Sequence, residues 1–220
     1  MELFLDTANI NEIRTLNEIL NIDGVTTNPA ILAKNGSDPL TTIKEISEVL
    51  NNQQKLFVEV MANDCQHMVL EAQFINEIRT NCYAKIPVSS EGLKAIKICK
   101  EKGFKTLATA IFTSMQGYLA SKNGADYLAP YVNRMDNYLD GVEETIKLQQ
   151  IINDNGFASK VVAASFKNLN QIKQLMASGI DAITISDELC HKMINHSGTD
   201  DAIKQFEQQW QQQFHRCTLK

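Results

Sequence analysis

The stretch Cys82-Tyr83-Ala84-Lys85-Ile86-Pro87 sets one lysine inside a short apolar run. Val88-Ser89-Ser90 and then a helical pattern follow it. A run of this length with proline at its exit reads as a buried strand. An ammonium taken out of water is costly unless it is paired. Burial also disfavours the charged form, moving the amine towards its neutral, nucleophilic state. Such an amine is suited to forming a Schiff base with a carbonyl. On this segment alone, a lysine on an edge strand or snorkelling from a barrel end is the simpler account. The rest of the chain argues against it.

Other polar residues recur at the ends of apolar runs. Asp6 ends Leu3–Asp6, and Thr26, Thr27 and Asn28 end Gly24–Asn28. Glu59 comes late in Leu56–Met61, and Thr109 lies within Thr106–Phe112. Tyr131 comes at the end of Tyr127–Val132, with Asn133 and Arg134 just beyond. Ser165 comes at the end of Lys160–Phe166, with Lys167 following, and Ala182–Ser186 is the last run. Each has a dull explanation: a turn-forming aspartate, ordinary strand threonines, a serine capping a helix. The dull explanation has to be repeated at run after run, always on the same side.

Helical patterns separate these runs. Asn9, with Glu12 three residues on, opens a helix carrying Ile10, Ile13, Leu16 and Leu20 on one side. Further helices are expected over Pro39–Leu50, Met68–Ile78, Ser90–Lys102, 114–122, 139–155, 168–177 and Asp187–Asn195. The result is eight strand–helix units whose strands start roughly 21 to 34 residues apart. That is the rhythm of a (β/α)8 TIM barrel in the α/β class. An open doubly wound sheet is the alternative, but neither GxGxxG nor GxxxxGK[ST] is present to serve it. A barrel demands catalytic side chains at the carboxyl ends of several strands, where these polar residues lie.

Composition bounds the rest. The 220 residues form one domain, 1–220, with no linker, repeat or low-complexity block. Hydrophobic residues make up 44%, enough for a large core. A net charge of −5, with no basic stripe interleaved with aromatics, argues against a nucleic-acid partner. No apolar segment approaches a membrane span, and no signal peptide is visible at the N-terminus. Five dispersed cysteines without a CxxC pair suit reduced thiols in the cytoplasm and form no metal site. His191 and His196 do not share a helical face and read as surface residues.

Leu5-Asp6-Thr7, Gly24-Val25-Thr26-Thr27-Asn28-Pro29, Lys85-Ile86-Pro87, Pro130-Tyr131-Val132-Asn133-Arg134-Met135-Asp136 and Ala163-Ala164-Ser165-Phe166-Lys167 resemble the motifs of the transaldolase family. The match is closest to its small branch, which includes fructose-6-phosphate aldolase. The resemblance covers essentially the whole chain. It implies a (β/α)8 barrel with Lys85 as the Schiff-base lysine, acting on sugar phosphates without cofactor or metal. Asp6 is then the base or orienter for the C4 hydroxyl proton, and Glu59, Thr109 and Tyr131 hold a catalytic water. Thr26, Asn28 and Ser165 fall to the sugar, with Arg134 and, more weakly, Lys167 for its phosphate. In family terms Tyr131 looks aldolase-like, whereas Glu59 looks transaldolase-like. A barrel that only binds phosphosugars is the alternative from another class, and binding alone needs neither Lys85 nor Asp6.

One segment exceeds what the barrel needs. From Thr199 to about 215, Ile203, Phe206, Trp210 and Phe214 fall on one stripe of an additional C-terminal helix. Packing on its own barrel is one outcome. Docking on a neighbouring subunit is the other, and the resemblance implies a homo-oligomer, a pentamer or decamer, that uses this helix as an arm.

Overall fold

The computed structural model describes residues 1–220. In chain order the elements are β1 (Glu2–Asp6), α1 (Ile10–Ile19), β2 (Gly24–Thr26), α2 (Pro29–Asn35), α3 (Pro39–Val49), β3 (Lys55–Glu59), α4 (Cys65–Ile78) and β4 (Cys82–Pro87). They continue with α5 (Ser90–Glu101), β5 (Thr106–Ile111), α6 (Ser114–Lys122), β6 (Tyr127–Pro130), α7 (Val132–Met135) and α8 (Gly141–Asp154). The chain ends with β7 (Lys160–Ala163), α9 (Leu169–Ser178), β8 (Ala182–Ile185), α10 (Asp187–Ile194) and α11 (Ser197–Phe214). All strands pair in parallel, each with its sequence neighbours, and β8 closes on β1. This is the expected (β/α)8 barrel with an extra C-terminal helix. No helix is long and apolar enough to cross a membrane.

Alternation along the strands divides the side chains between two cores. Leu5, Val25, Leu56, Val58, Ala84, Ile86, Ala108 and Leu128 face outwards and join the large cluster beneath the helices. Phe4, Phe57, Leu107, Tyr127, Val162 and Ala182 fill the barrel interior, with Tyr83 packed against them. Phe57 stacks on Tyr83 with ring centroids 5.0 Å apart and meets Phe4 and Tyr127 edge-on. Below them Glu2 accepts hydrogen bonds from Lys55 at 2.8 Å, Lys160 at 3.0 Å and the Tyr127 hydroxyl at 2.9 Å. The amino end of the barrel is thus plugged, and the interior opens only towards the carboxyl ends.

Helix starts follow from local chemistry. The side chains of Asn9, Asp38, Asp64, Ser89, Thr113, Asp140, Asn168 and Ser186 each accept from a backbone N–H in the first turn of the helix that follows. Glu12 does not complete a capping box; its carboxylate meets His191 Nε2 at 2.8 Å instead.

Several boundaries differ from the sequence expectation. β2 stops at Thr26, and α2 follows, a helix the periodicity did not announce. Its signal is Asn28-Pro29: the Asn28 side chain accepts from Ile31 N at 3.0 Å, and Pro29 suits the first helical turn. Strand six ends at Pro130, so Tyr131 and Val132 leave the ladder for α7, although Tyr131 keeps one bridge to Ala164. Strand seven ends at Ala163, which puts Ser165 beyond it in a left-handed conformation (φ 60°). α11 starts at Ser197, two residues before the expected Thr199. None of its residues is fully buried: Ile203, Phe206 and Phe214 are exposed, and Trp210 is half-covered beside Phe214 and Arg216 of the same chain.

Helix α5 lies tight against the strand that carries Lys85. A Cβ at Gly92 would meet the Pro87 carbonyl oxygen at 1.8 Å. In an open helix glycine to alanine gains about 1 kcal/mol. Here overpacking should dominate, so Gly92→Ala should lose about 1–3 kcal/mol. A lowered urea midpoint checks this, and a raised one would show that α5 has room to move.

Candidate active site

Strand register alone brings the first pairs of functional residues together. Asp6 lies directly opposite Thr26 across β1 and β2, and Glu59 lies opposite Lys85 across β3 and β4. The inward sides of both pairs face the open end of the barrel. There a cavity of about 290 Å³ is lined by Asp6, Thr26, Asn28, Glu59, Lys85, Thr109, Tyr131, Arg134, Ser165 and Thr184, over a floor of Leu107, Ala129, Val162 and Ala164.

Lys85 is the only lysine among these residues and is only 5% exposed. Its Nζ donates to the Thr27 carbonyl oxygen at 2.6 Å and lies 3.4 Å from Glu59 Oε2. The strand is buried, as the apolar run suggests, and the amine it carries sits in a polar socket. Glu59 Oε2 is buried without any hydrogen-bond partner, so one lone-pair direction is open to a bound group.

Asp6 enters the same cavity from β1. Its Oδ1 accepts from the Thr26 hydroxyl at 2.6 Å. Burial pushes the Asp6 carboxyl above the usual aspartate range, opposed by the Lys85 ammonium and by the Thr26 hydrogen bond. Opposite, the Thr109 and Tyr131 hydroxyls share a hydrogen bond of 3.0 Å. β5 is irregular between Ala108 and Ile111, and Ala110 takes φ 55°, a conformation alanine seldom adopts. Irregularities of this kind re-aim side chains beside active sites.

Arg134 stands at the mouth on the short helix α7, with its guanidinium 4.9 Å from the centre of the Tyr131 ring. Arg134 makes no ion pair with Asp136, two residues on, the simple surface role its sequence also allows. Asp136 accepts instead from Gly141 N at 2.9 Å and Gln171 Nε2 at 2.8 Å, anchoring α7 to α8 and α9. The guanidinium is left free for an anionic group.

Nine of the ten residues predicted from the sequence line this cavity; Lys167 does not. Its backbone N–H donates to Gln171 Oε1 at 2.8 Å, and its side chain is exposed outside the cavity. Thr26, expected to meet the sugar, has its hydroxyl engaged by Asp6 and by Thr184 Oγ1 at 2.7 Å. Thr184 was missed because it lies mid-strand in an apolar run. Its signal is parity, since it falls two residues after the inward Ala182.

Chemically the cavity offers a buried amine paired with one carboxylate, a second carboxylate nearby, a pair of hydroxyls, and a guanidinium fork at the entrance. Residues 3–219 match the family model described as Transaldolase/Fructose-6-phosphate aldolase. Among solved structures, the chain is similar to a thiamine phosphate pyrophosphorylase from Pyrococcus furiosus. That similarity has a TM-score of 0.57 over 84% of this chain and 85% of that one, at 15% identity. At so low an identity the likeness speaks for the barrel fold alone.

The raised Asp6 carboxyl carries a stability consequence. The folded state holds this proton more tightly than the unfolded chain does, so the ionised form destabilises the fold above the folded value. The cost fades as pH falls and vanishes below the ordinary carboxyl value, where both states are protonated. Asp6→Asn keeps an acceptor for Thr26 and removes the charge. Its urea midpoint should exceed that of the wild type at pH 7, with the gain shrinking towards pH 4. A gain independent of pH would mean that charge burial is not its source.

Proposed function

The chain belongs to the transaldolase/fructose-6-phosphate aldolase family, a group of Schiff-base enzymes, and on that premise we propose that it is a class I aldolase acting on fructose 6-phosphate. It cleaves the sugar to dihydroxyacetone and glyceraldehyde 3-phosphate, or runs the reverse. The observation that carries this reading is the Lys85 amine, held 3.4 Å from Glu59 in the cavity that Asp6 also lines.

The Lys85 amine adds to the C2 carbonyl, and loss of water gives a protonated imine. Asp6 takes the proton of the C4 hydroxyl, the C3–C4 bond breaks, and its electron pair moves into the iminium to leave an enamine. The aldehyde formed at C4 departs. Protonation of the enamine at C3 and addition of water to the imine carbon release dihydroxyacetone and the free amine. Glu59, Thr109 and Tyr131 hold the water that shuttles these protons; Glu59 Oε2 is ion-paired with Lys85 at 3.4 Å but makes no hydrogen bond of its own. Asn28 and Ser165 bind sugar hydroxyls. Arg134 takes the phosphate, for which its exposure at the mouth and lack of a carboxylate partner speak.

A second reading is favoured by one residue. Glu59 is transaldolase-like, and capture of the enamine by a second sugar aldehyde, rather than by a proton, would make the enzyme a transaldolase. The Tyr131 hydroxyl, bonded to Thr109 at 3.0 Å, supports the water-dependent route. A barrel that binds phosphosugars without turnover is the remaining alternative. The five free cysteines support action in a reducing compartment such as the cytoplasm.

The chain would work as a homo-oligomer, a pentamer or decamer, with α11 as the arm. Phe206 is 65% exposed on this helix, and Ile203 and Phe214 lie beside it half uncovered. Phe206→Asp in the full chain should lower the mass seen by light scattering while leaving the barrel folded. An unchanged assembly would mean that α11 does not join the subunits.

Borohydride with fructose 6-phosphate should inactivate the enzyme and leave a reduced sugar fragment on Lys85. Lys85→Arg should abolish both effects, because a guanidinium stays protonated and cannot add to a carbonyl. Trapping at another lysine would overturn the assignment, and absence of trapping with no turnover would favour the binding barrel. Tyr131→Phe tests the partition. Release of dihydroxyacetone should fall about tenfold, the scale of one hydrogen bond, with a smaller fall in sugar-to-sugar transfer. An unchanged ratio of the two activities would remove Tyr131 from control of the water.

A further inference from the structure

Thr184 has no assigned role, yet its hydroxyl is linked through Thr26 to the carboxylate that takes the proton in the bond-breaking step. Thr26 Oγ1 lies 2.6 Å from Asp6 Oδ1 and 2.7 Å from Thr184 Oγ1. Both threonines are nearly sealed from solvent, Thr26 at 2% and Thr184 at 4% exposure. They stand on β2 and β8, the two strands that flank β1. Thr184 is in register with Phe4, one inward position below Asp6. The three groups therefore form a short chain across the inner face of β1.

Proton counting fixes the direction of this chain. An ionised carboxylate can only accept, and Thr26 has a single hydroxyl proton. That proton goes to Asp6, so the short contact with Thr184 must be filled by the Thr184 proton donating to Thr26. When Asp6 takes up a proton, the direction can reverse: Asp6 donates to Thr26, and Thr26 donates to Thr184. The reversal turns the Thr26 and Thr184 O–H bonds about their C–O axes, passes no proton between oxygens, and needs no heavy-atom rearrangement. β-Branched side chains on neighbouring strands are stiff at χ1, which keeps the oxygens in place in both states.

We propose that Thr184 is a positioning residue for Asp6, acting through Thr26 to hold the carboxyl in both of its protonation states. This rests on the reading of Asp6 as the proton acceptor in the C3–C4 cleavage. Without Thr184, the Thr26 hydroxyl has a buried vacancy in one state or the other, and its orientation towards Asp6 is no longer enforced. Lys85 is outside the chain, so imine formation should not depend on it.

The test compares Thr184→Val with Thr184→Ser in the full-length enzyme. Valine keeps the shape and removes the hydroxyl; serine keeps the hydroxyl. Thr184→Val should lower kcat for fructose 6-phosphate cleavage about tenfold. Its KM and its rate of borohydride trapping at Lys85 should match the wild type, and Thr184→Ser should restore kcat. The acid limb of the kcat–pH profile should move in the valine variant and return in the serine variant. Should valine fold poorly, Thr184→Ala makes the same deletion with less bulk. Wild-type kcat in the valine or alanine variant, a serine variant as slow as valine, or a parallel loss of trapping and KM would each overturn the role of Thr184. Failure of the wild-type enzyme itself to be trapped at Lys85 would be a different result, striking the Schiff-base reading on which the proposal rests.

Discussion

Parallel pairing of β3 with β4, and of β1 with β2, determines where the charges of this protein can lie. In each pair the last inward position of one strand carries a carboxylate, Glu59 or Asp6, and the residue opposite is Lys85 or Thr26. Shifting either register by one residue would turn these side chains into the layer between sheet and helices, where Val58, Ala84 and Ile86 now pack. A buried amine and two carboxylates are tolerable only when they meet each other. Pairing, closure and charge burial are thus one constraint, and the helices serve it by holding the strands in register.

The two ends of the barrel spend their interior differently. At the amino end, Glu2, Lys55, Lys160 and Tyr127 compensate one another below a solid aromatic layer. At the carboxyl end the same inward columns finish in Asp6, Glu59, Lys85, Thr109 and Thr184, with a cavity between them. The Glu59 oxygen without a hydrogen-bond partner and the Asp6 carboxyl raised by burial are both costs that a purely structural end would not carry. Ala110 and Ser165, two of the three non-glycine residues at positive φ, lie at this end as well. The floor of Leu107, Ala129, Val162 and Ala164 isolates these groups from the ionic plug below.

Period-two alternation and the recurrence of helix caps made much of this legible in one dimension. The strand count, the barrel, and nine of the ten polar residues named around the cavity follow from apolar runs that carry polar residues at or near their ends, because a parallel barrel delivers every strand end to the same rim. Lys85 stands out as a lysine within a buried strand, but that segment alone leaves a snorkelling lysine the simpler account, and only the motifs around the rim make it the candidate amine.

Tertiary structure decided what pairing across the sheet alone can decide. Whether Lys85 sat in an apolar pocket or a polar socket depended on the Thr27 carbonyl, a backbone atom of a distant strand that side-chain identities do not reveal. Thr184 entered the site because β8 closes on β1, bringing together residues 158 positions apart. Lys167, adjacent in sequence to the site motif, was turned outwards as Ser165 took φ 60° and Asn168 began α9. Arg134 was freed because Asp136, two residues away, found Gly141 and Gln171 as partners. Residue type and spacing determine which face of which element a side chain occupies. Only the closed fold determines which atoms from other elements it meets, and that is what separates a rim residue from a working one.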